Sequence, residues 1–335
     1  MNLTDKLANY IQNSLWSKVS LINYMLLPLS ILYSLIRNLR YYFYQTPIKF
    51  NSKIICVGNS ISGGAGKTPI VIRLAELLSQ NTKLKIAVVA KGYKGNLSNN
   101  SNAIKVSLNK HTCKEVGDEA LLIAKHFPVY ISNKRKLAIE LAQKDGAETI
   151  ILDDGFQNNS INKDISILAI NNRIFNHDAN NLLIPAGPLR ESLKTSIRKA
   201  DIIITSGKNT ALRKNFNLSD KLLFFQNTII KNPEEISGKK FILLCGIAQP
   251  ERVVKTAKNL KANILKSYFF PDHYNFSSQE LESLYKEATK FHCNILTTKK
   301  DFVRIDKKFH KLTTVIDYAV EINDEKKLIK KILTL

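Results

Sequence analysis

Cysteine is scarce in this chain: Cys56, Cys113, Cys245 and Cys293 stand far apart, with no C-x-x-C pair among them. That spacing excludes a disulfide framework and a cysteine-based zinc site, and it suits a reducing compartment. Acidic residues are also few, 28 Asp and Glu against 50 Lys and Arg, which leaves a formal net charge of +22. The excess is spread out, with no dense basic tract and no nucleic-acid motif, so no nucleic-acid partner is expected. It either favours anionic partners, such as acidic head groups or phosphorylated substrates, or reflects compositional drift in a lysine-rich chain. Internal repeats and long low-complexity segments are missing. The N-terminus shows no apolar core ending in a small-residue cleavage site, so no secretory signal is expected. What remains is ordinary: 44% hydrophobic and 23% charged residues over 335 positions, enough for one large domain and a smaller one.

One uncharged run stands out, the eighteen residues VSLINYMLLPLSILYSLI between Lys18 and Arg37. It sits at the lower length limit for a membrane-spanning helix. Ser20, Asn23, Ser30, Ser34 and Arg37 fall on one helical face, whereas Leu21, Met25, Leu29, Leu32 and Ile36 lie elsewhere, and Pro28 would kink or break the helix. Lys6, Lys18, Arg37 and Arg40, with Trp16, Tyr24, Tyr33 and Tyr44, supply basic and aromatic flanks. A helix lying in the membrane interface is favoured over a true span or a buried core helix.

Residues 54–78, IICVGNSISGGAGKTPIVIRLAELL, read as a strand, a phosphate-binding loop and a helix. Ile54 to Val57 suits a buried parallel strand, and Ile70, Val71, Leu74, Leu77 and Leu78 recur at helical spacing. Between them Ile61, Ser62, Gly63, Gly64, Ala65 and Gly66 form a loop whose amides can face an anion. Lys67 adds a point charge near the terminal phosphates, and Thr68 offers a hydroxyl to Mg2+. A nucleotide is the expected ligand. The loop is deviant, with Ile61 where the usual motif has its first glycine.

Further along, KIAVVAKGY (85–93), VYIS (129–132), TIILDDGFQ (149–157), DISILAIN (164–171) and ADIIITSG (200–207) read as strands, and VGDEALLIAKHF (116–127) and 135–144 as helices. Residues 94–112 and 208–238 look irregular, and FILLCGIAQPERV (241–253) and NILTTKKDFVRI (294–305) begin a fresh α/β pattern. The fold class is therefore α/β, a P-loop NTPase-like, mainly parallel sheet with a second, smaller α/β domain and an N-terminal membrane-associated helix. The expected divisions are 1–45 for the helical segment, 46–235 for the P-loop domain and 236–335 for the smaller domain. Asp153 and Asp154, at the end of an apolar strand, are candidates for the metal. In an extended segment their side chains point opposite ways, so at most one binds it directly. Asp118 and Glu119 open a helix, and taken alone they are better explained by favourable interaction with the helix dipole.

Six ordered motifs then change the weighting: G-G-x-G-K-T-P at 63–69, G-D-E at 117–119, D-D-G-F-Q at 153–157, L-x-P-A-G-P-L-R-E at 183–191, P-D-H-Y at 271–274 and T-T-x-K-D at 297–301. Together they closely resemble the tetraacyldisaccharide 4'-kinase family, the lipid A 4'-kinases of Gram-negative bacteria. The resemblance implies transfer of the γ-phosphate of ATP to the 4'-hydroxyl of an acylated glucosamine disaccharide 1-phosphate, yielding lipid IVA at the cytoplasmic face of the inner membrane. It implies that Asp118 acts with His273 on the sugar hydroxyl. Thr68, Asp153, Asp154 and Glu119 would surround the metal, and Arg190, Gln157, Asn59 and Tyr93 would contact the acceptor. Two departures stand out. Asn158 replaces the histidine that usually follows D-D-G-F-Q, and Lys91 replaces a common arginine, losing a two-pronged phosphate contact. The rival is a nucleotide-driven switch or delivery ATPase, but such loops usually begin with a lysine where this chain has Ser62.

Overall fold

The computed structural model describes residues 18–43, 46–62, 66–99, 102–175, 179–207, 216, 218, 222–247 and 249–335. The flanking residues Lys6, Trp16 and Tyr44, and the loop residues Gly63, Gly64 and Ala65, lie outside the described residues.

The chain opens with helices α1 (Leu21–Met25) and α2 (Leu27–Phe43). The break at Leu26 places Pro28 in the first turn of α2, where its missing N–H costs nothing, so the expected interruption is met. There follow β1 (Lys53–Gly58), α3 (Lys67–Asn81), β2 (Ile86–Ala90), β3 (Ile104–Lys105), α4 (Cys113–Val116), α5 (Asp118–Ala124), β4 (Val129–Ile131), α6 (Arg135–Lys144), β5 (Thr149–Asp153), β6 (Ile165–Ile170), α7 (Leu193–Lys199), β7 (Ile202–Ser206) and β8 (Leu222–Ile230). The second half holds β9 (Lys240–Cys245), α8 (Pro250–Asn259), β10 (Asn263–Phe269), α9 (Ser278–Lys290), β11 (Asn294–Thr298), α10 (Lys299–Phe302), β12 (Thr313–Ile316), β13 (Tyr318–Ile322) and α11 (Glu325–Thr334).

Among the described residues the strands form two sheets, ordered β13-β8-β7-β6-β1-β5-β2-β4-β3 and β10-β9-β11-β12. Only the outermost pairs of the large sheet, β13 with β8 and β3 with β4, are antiparallel. The period-two side-chain alternation of β1 divides the core. Ile55 and Val57 join the cluster under α3, α5 and α11, while Ile54 and Cys56 join the one under α6 and α7. The small sheet is likewise covered on both faces, by Leu281, Leu284 and Ala288 of α9 and by Val253 and Ala257 of α8.

Two expectations are corrected. The irregular connection at 208–238 contains β8, whose polar centre Gln226-Asn227-Thr228 hides the strand pattern. The smaller domain does not run to residue 335, because β13 returns to pair with β8 and α11 packs under the large sheet through Leu328, Ile329 and Ile332.

The N-terminal helices reverse the ordinary amphipathic arrangement. Their polar face is turned inward: Asn23 Nδ2 donates to Ala186 O at 2.7 Å, Ser30 Oγ to Leu183 O at 2.9 Å and Tyr33 OH to Arg190 O at 3.0 Å. The apolar face is outward, with Leu21 77%, Met25 73% and Phe43 79% exposed. That exposure excludes the buried core helix, and no helix among the described residues is long and apolar enough to cross a membrane.

Candidate active site

β1 and β5 lie side by side in parallel register, Val57 opposite Asp153, so the loop after β1 and the carboxylates ending β5 meet at one edge. The start of the loop is tied down. Ser62 N donates to Pro188 O at 2.8 Å and Ile61 bridges Leu189, so these two residues anchor the loop and the Ser62 amide is not turned to an anion. Gly66 adopts φ 69°, a left-handed conformation that glycine takes at no steric cost, and opens α3. Lys67, the first residue of α3, reaches Asn59 Oδ1 at 3.2 Å and Asp154 Oδ1 at 3.4 Å, and Thr68 beside it is buried.

Asp153 and Asp154 have opposite fates. Asp153 is buried, its Oδ1 has no hydrogen-bond partner, and burial together with Glu119 pushes its pKa up to about 7 against the pull of Lys67. Asp154 turns away at φ 53° and is gripped by Arg190, whose Nη1 donates to Oδ1 and Oδ2 at 3.0 and 2.9 Å. Burial raises its pKa, but Lys67 and Arg190 outweigh that and the net shift is downward. Asp154 is therefore committed to cations of the protein, and the expected metal role narrows to Asp153, Glu119 and Thr68. No group of three or more His, Cys, Asp or Glu among the described residues forms a ready-made metal cage. An unpartnered carboxylate oxygen, a second carboxylate and a hydroxyl fit Mg2+, which keeps several waters and takes phosphate oxygens as ligands.

Across a cleft of about 1870 Å³ the second unit presents His273, at φ 63° in the turn after β10. His273 Nδ1 stands 2.9 Å from Asp118 Oδ2, so the two residues that the resemblance paired, 155 positions apart, are in contact. Gly117, at φ 86°, sets Asp118 in place: a Cβ there would lie 2.5 Å from Tyr93 O. Burial raises the Asp118 pKa, but hydrogen bonding to His273 and the charges of Lys300 and Arg304 outweigh it and bring it to about 2. Asp118 is buried behind the imidazole, which lines the cleft. Lys300 Nζ lies 3.2 Å from His273 Nε2. Burial lowers the Lys300 pKa, but Glu119, Asp272 and Asp118 raise it further, so it remains an ammonium. An ammonium only donates; His273 Nε2 is therefore the acceptor and Nδ1 carries the proton toward Asp118.

Of the expected acceptor contacts, Tyr93 is exposed in the cleft with its ring edge-on to His273 at 5.6 Å. Gln157 and Arg190 also line the cleft. Asn59 does not fit that role: it is fully buried, supports Lys67, and its carbonyl accepts from Gln157 Nε2 at 2.7 Å. Asn158, where the usual histidine would stand, lines the cleft and makes a local turn, its Oδ1 accepting from Ser160 N and Oγ at 2.9 and 2.7 Å.

Comparison with known proteins bears on the family. The family described as LpxK, tetraacyldisaccharide-1-P 4'-kinase, matches residues 22–335. The chain belongs to this family. Curated tetraacyldisaccharide 4'-kinases from Rickettsia canadensis and Rickettsia bellii are 37% and 34% identical to it, covering 95% of this chain and 95% and 96% of theirs. The crystal structure of Aquifex aeolicus LpxK in complex with ATP superposes with a TM-score of 0.75 at 28% identity, over 94% of this chain and 99% of that one.

Three cationic neighbours of the candidate site were passed over by sequence reasoning. Lys300 stands inside T-T-x-K-D, where its own motif was the available signal. Arg304, three residues beyond that motif, binds Asp301, Gly246 O and Tyr274 O, and lies 3.8 Å from Asp118. Arg135 donates to the carbonyls of Asp153 and Asp154 at 3.3 and 2.7 Å, and no sequence signal marks it.

Proposed function

We propose that the chain transfers the γ-phosphoryl group of ATP to the 4'-hydroxyl of a tetraacyl glucosamine disaccharide 1-phosphate, forming lipid IVA, with Asp118 and His273 receiving the hydroxyl proton. Membership of the kinase family supports the reaction. The observation that carries the mechanism is the 2.9 Å contact of Asp118 with His273 across the cleft from Lys67 and Asp153. His273 Nε2 faces the cleft and takes the proton; Asp118 fixes the tautomer and stabilises the imidazolium that results. Lys67 holds the terminal phosphates, and Thr68, Asp153 and Glu119 would hold Mg2+, which when bound neutralises charge on the phosphate oxygens. Because the two halves of the base come from different units, closure of the cleft assembles the site.

The outward apolar face of α2 supports peripheral attachment to an anionic bilayer, at the cytoplasmic face of the inner membrane. The polar inner face ties that helix to Arg190 through Tyr33 and Arg37, so the site would open close to the lipid surface.

The test is transfer of label from [γ-32P]ATP to tetraacyldisaccharide 1-phosphate in mixed micelles, with and without Mg2+. Mg2+-dependent labelling of the lipid is expected. ATP hydrolysis without lipid labelling would point instead to a switch ATPase. Asp118→Ala should lower kcat by roughly 10²–10⁴-fold with ATP affinity retained, and near-normal turnover would remove Asp118 from this role.

A further inference from the structure

The resting position of Lys300 conflicts with the proton transfer just described. Its ammonium occupies the lone pair of His273 Nε2 at 3.2 Å, and that lone pair must receive the hydroxyl proton. Both cannot be held at once, so Lys300 has to leave Nε2 as the reaction proceeds. The backbone beneath it is fixed. Thr298 Oγ1 donates to Asp301 Oδ2 at 2.8 Å, Gly246 N to Asp301 Oδ1 at 3.0 Å, and Arg304 Nε to the Lys300 carbonyl at 3.1 Å. Only the four-carbon side chain is left to swing.

A displaced ammonium needs an acceptor of comparable strength. Asp272 Oδ1 and Glu119 Oε1, at 3.5 and 3.6 Å, already share it at longer range than His273. The new acceptor that arrives with the substrates is the phosphoryl group, which must sit between the 4'-oxygen and the nucleotide. The cationic groups on the loop side are differently engaged, Arg190 with Asp154 and Arg135 with the carbonyls of Asp153 and Asp154. We propose that Lys300 is a catalytic residue delivered in cis by the second unit, exchanging His273 Nε2 for the equatorial oxygens of the phosphoryl group in flight. This rests on the assignment of Asp118 and His273 as the base. In the step, the bond from the 4'-oxygen to the γ-phosphorus forms and that to the β-phosphate oxygen breaks. The hydroxyl proton passes to Nε2 as the ammonium withdraws, Lys300 keeps its own protons, and ADP departs with the bonding pair. One movement thus uncovers the base and places positive charge where it develops in the transition state.

The experiment compares Lys300→Met, Lys300→Gln and Lys300→Arg with His273→Ala, reading kcat, both KM values, and the affinity for ADP alone and for ADP with aluminium fluoride and Mg2+. Lys300→Met is expected to lower kcat by roughly 10²–10³-fold with little change in either KM. Its affinity for ADP–aluminium fluoride should fall by a similar factor while ADP affinity is kept, and Lys300→Arg should recover part of both losses. Should Lys300→Met fail to bind ADP, Lys300→Gln supplies the same readings. A kcat loss with unaltered ADP–aluminium fluoride affinity would overturn the proposal and leave Lys300 acting only through His273. A change confined to the KM for ATP would overturn it too, as a contact made equally in the ground state. If His273→Ala turns over normally while Lys300→Met does not, the base assignment fails and the cation's role stands on the fluoride affinity alone.

Discussion

At Asp153 a carboxylate is held where its own charge is disfavoured, buried beside Glu119 with a pKa pushed up to about 7. A group whose pKa is raised on folding destabilises the folded state once it ionises, and that penalty grows as pH rises from its unfolded value to its folded one. Asp153→Asn should therefore stabilise the metal-free protein at pH 8.5, by on the order of 1–2 kcal/mol in apparent unfolding free energy. The gain should shrink as pH falls below about 7, where the wild-type carboxyl is itself neutral. The same variant should lose Mg2+-dependent transfer. Denaturant titrations at pH 6 and 8.5 would check this, and equal stability of the two proteins at both pH values would refute it. That at most one of the two adjacent acids would be left open to a metal was legible from strand alternation. Which one was not, because the choice is made by the φ of 53° at Asp154 and by its grip on Arg190, 36 residues later in sequence.

Elements with one strong local pattern were legible. β1, β2, β5, β6 and β7 are apolar runs buried on both faces, and α3 carries its apolar stripe at helical spacing. The elements that escaped are held by partners far away in sequence. β13 exists because β8 offers an edge, and α11 because Leu328, Ile329 and Ile332 find the α3 side of the large sheet. Arg73 on α3 fastens that return, donating to both carboxylate oxygens of Glu325 at 2.9 and 2.6 Å. Burial raises the Glu325 pKa, but the Arg73 hydrogen bond and the Ile322 amide outweigh it, so the net shift is downward. Stabilisation of this sign is complete above the unfolded value and disappears as pH falls through the folded one. Glu325→Gln should accordingly cost about 1 kcal/mol at pH 7, and the difference from wild type should vanish in acid. A cost at pH 7 that persists unchanged at pH 3 would show that packing, and not the ion pair, holds α11.

The whole molecule is organised around two contacts that no single element explains, the closure of Asp118 on His273 and the seating of α2 on the segment that carries Arg190. The first was legible only through the six-motif resemblance, since the spacing of His273 is as consistent with a surface histidine. The second was legible in half: the polar stripe and the preference for an interfacial helix were visible, but nothing in the sequence named the segment 183–190 as the surface that the polar stripe would bind. A net charge of +22 and an exposed apolar helix face together fit a surface that meets anionic lipid. Leu29 and Leu32, each 52% exposed, belong to the outward face, so their replacement leaves the inward hydrogen bonds in place. Each should lose about 1.5 kcal/mol of lipid contact on becoming glutamate, so Leu29→Glu with Leu32→Glu should weaken partition into anionic vesicles roughly a hundredfold. Affinity for ATP should be unchanged, while the KM for lipid presented in vesicles rises. Sedimentation with vesicles alongside ATP binding separates the outcomes. Unchanged partition would mean that the bilayer is met by another surface, and a parallel loss of ATP affinity would mean that the helix supports the nucleotide site and not the membrane contact.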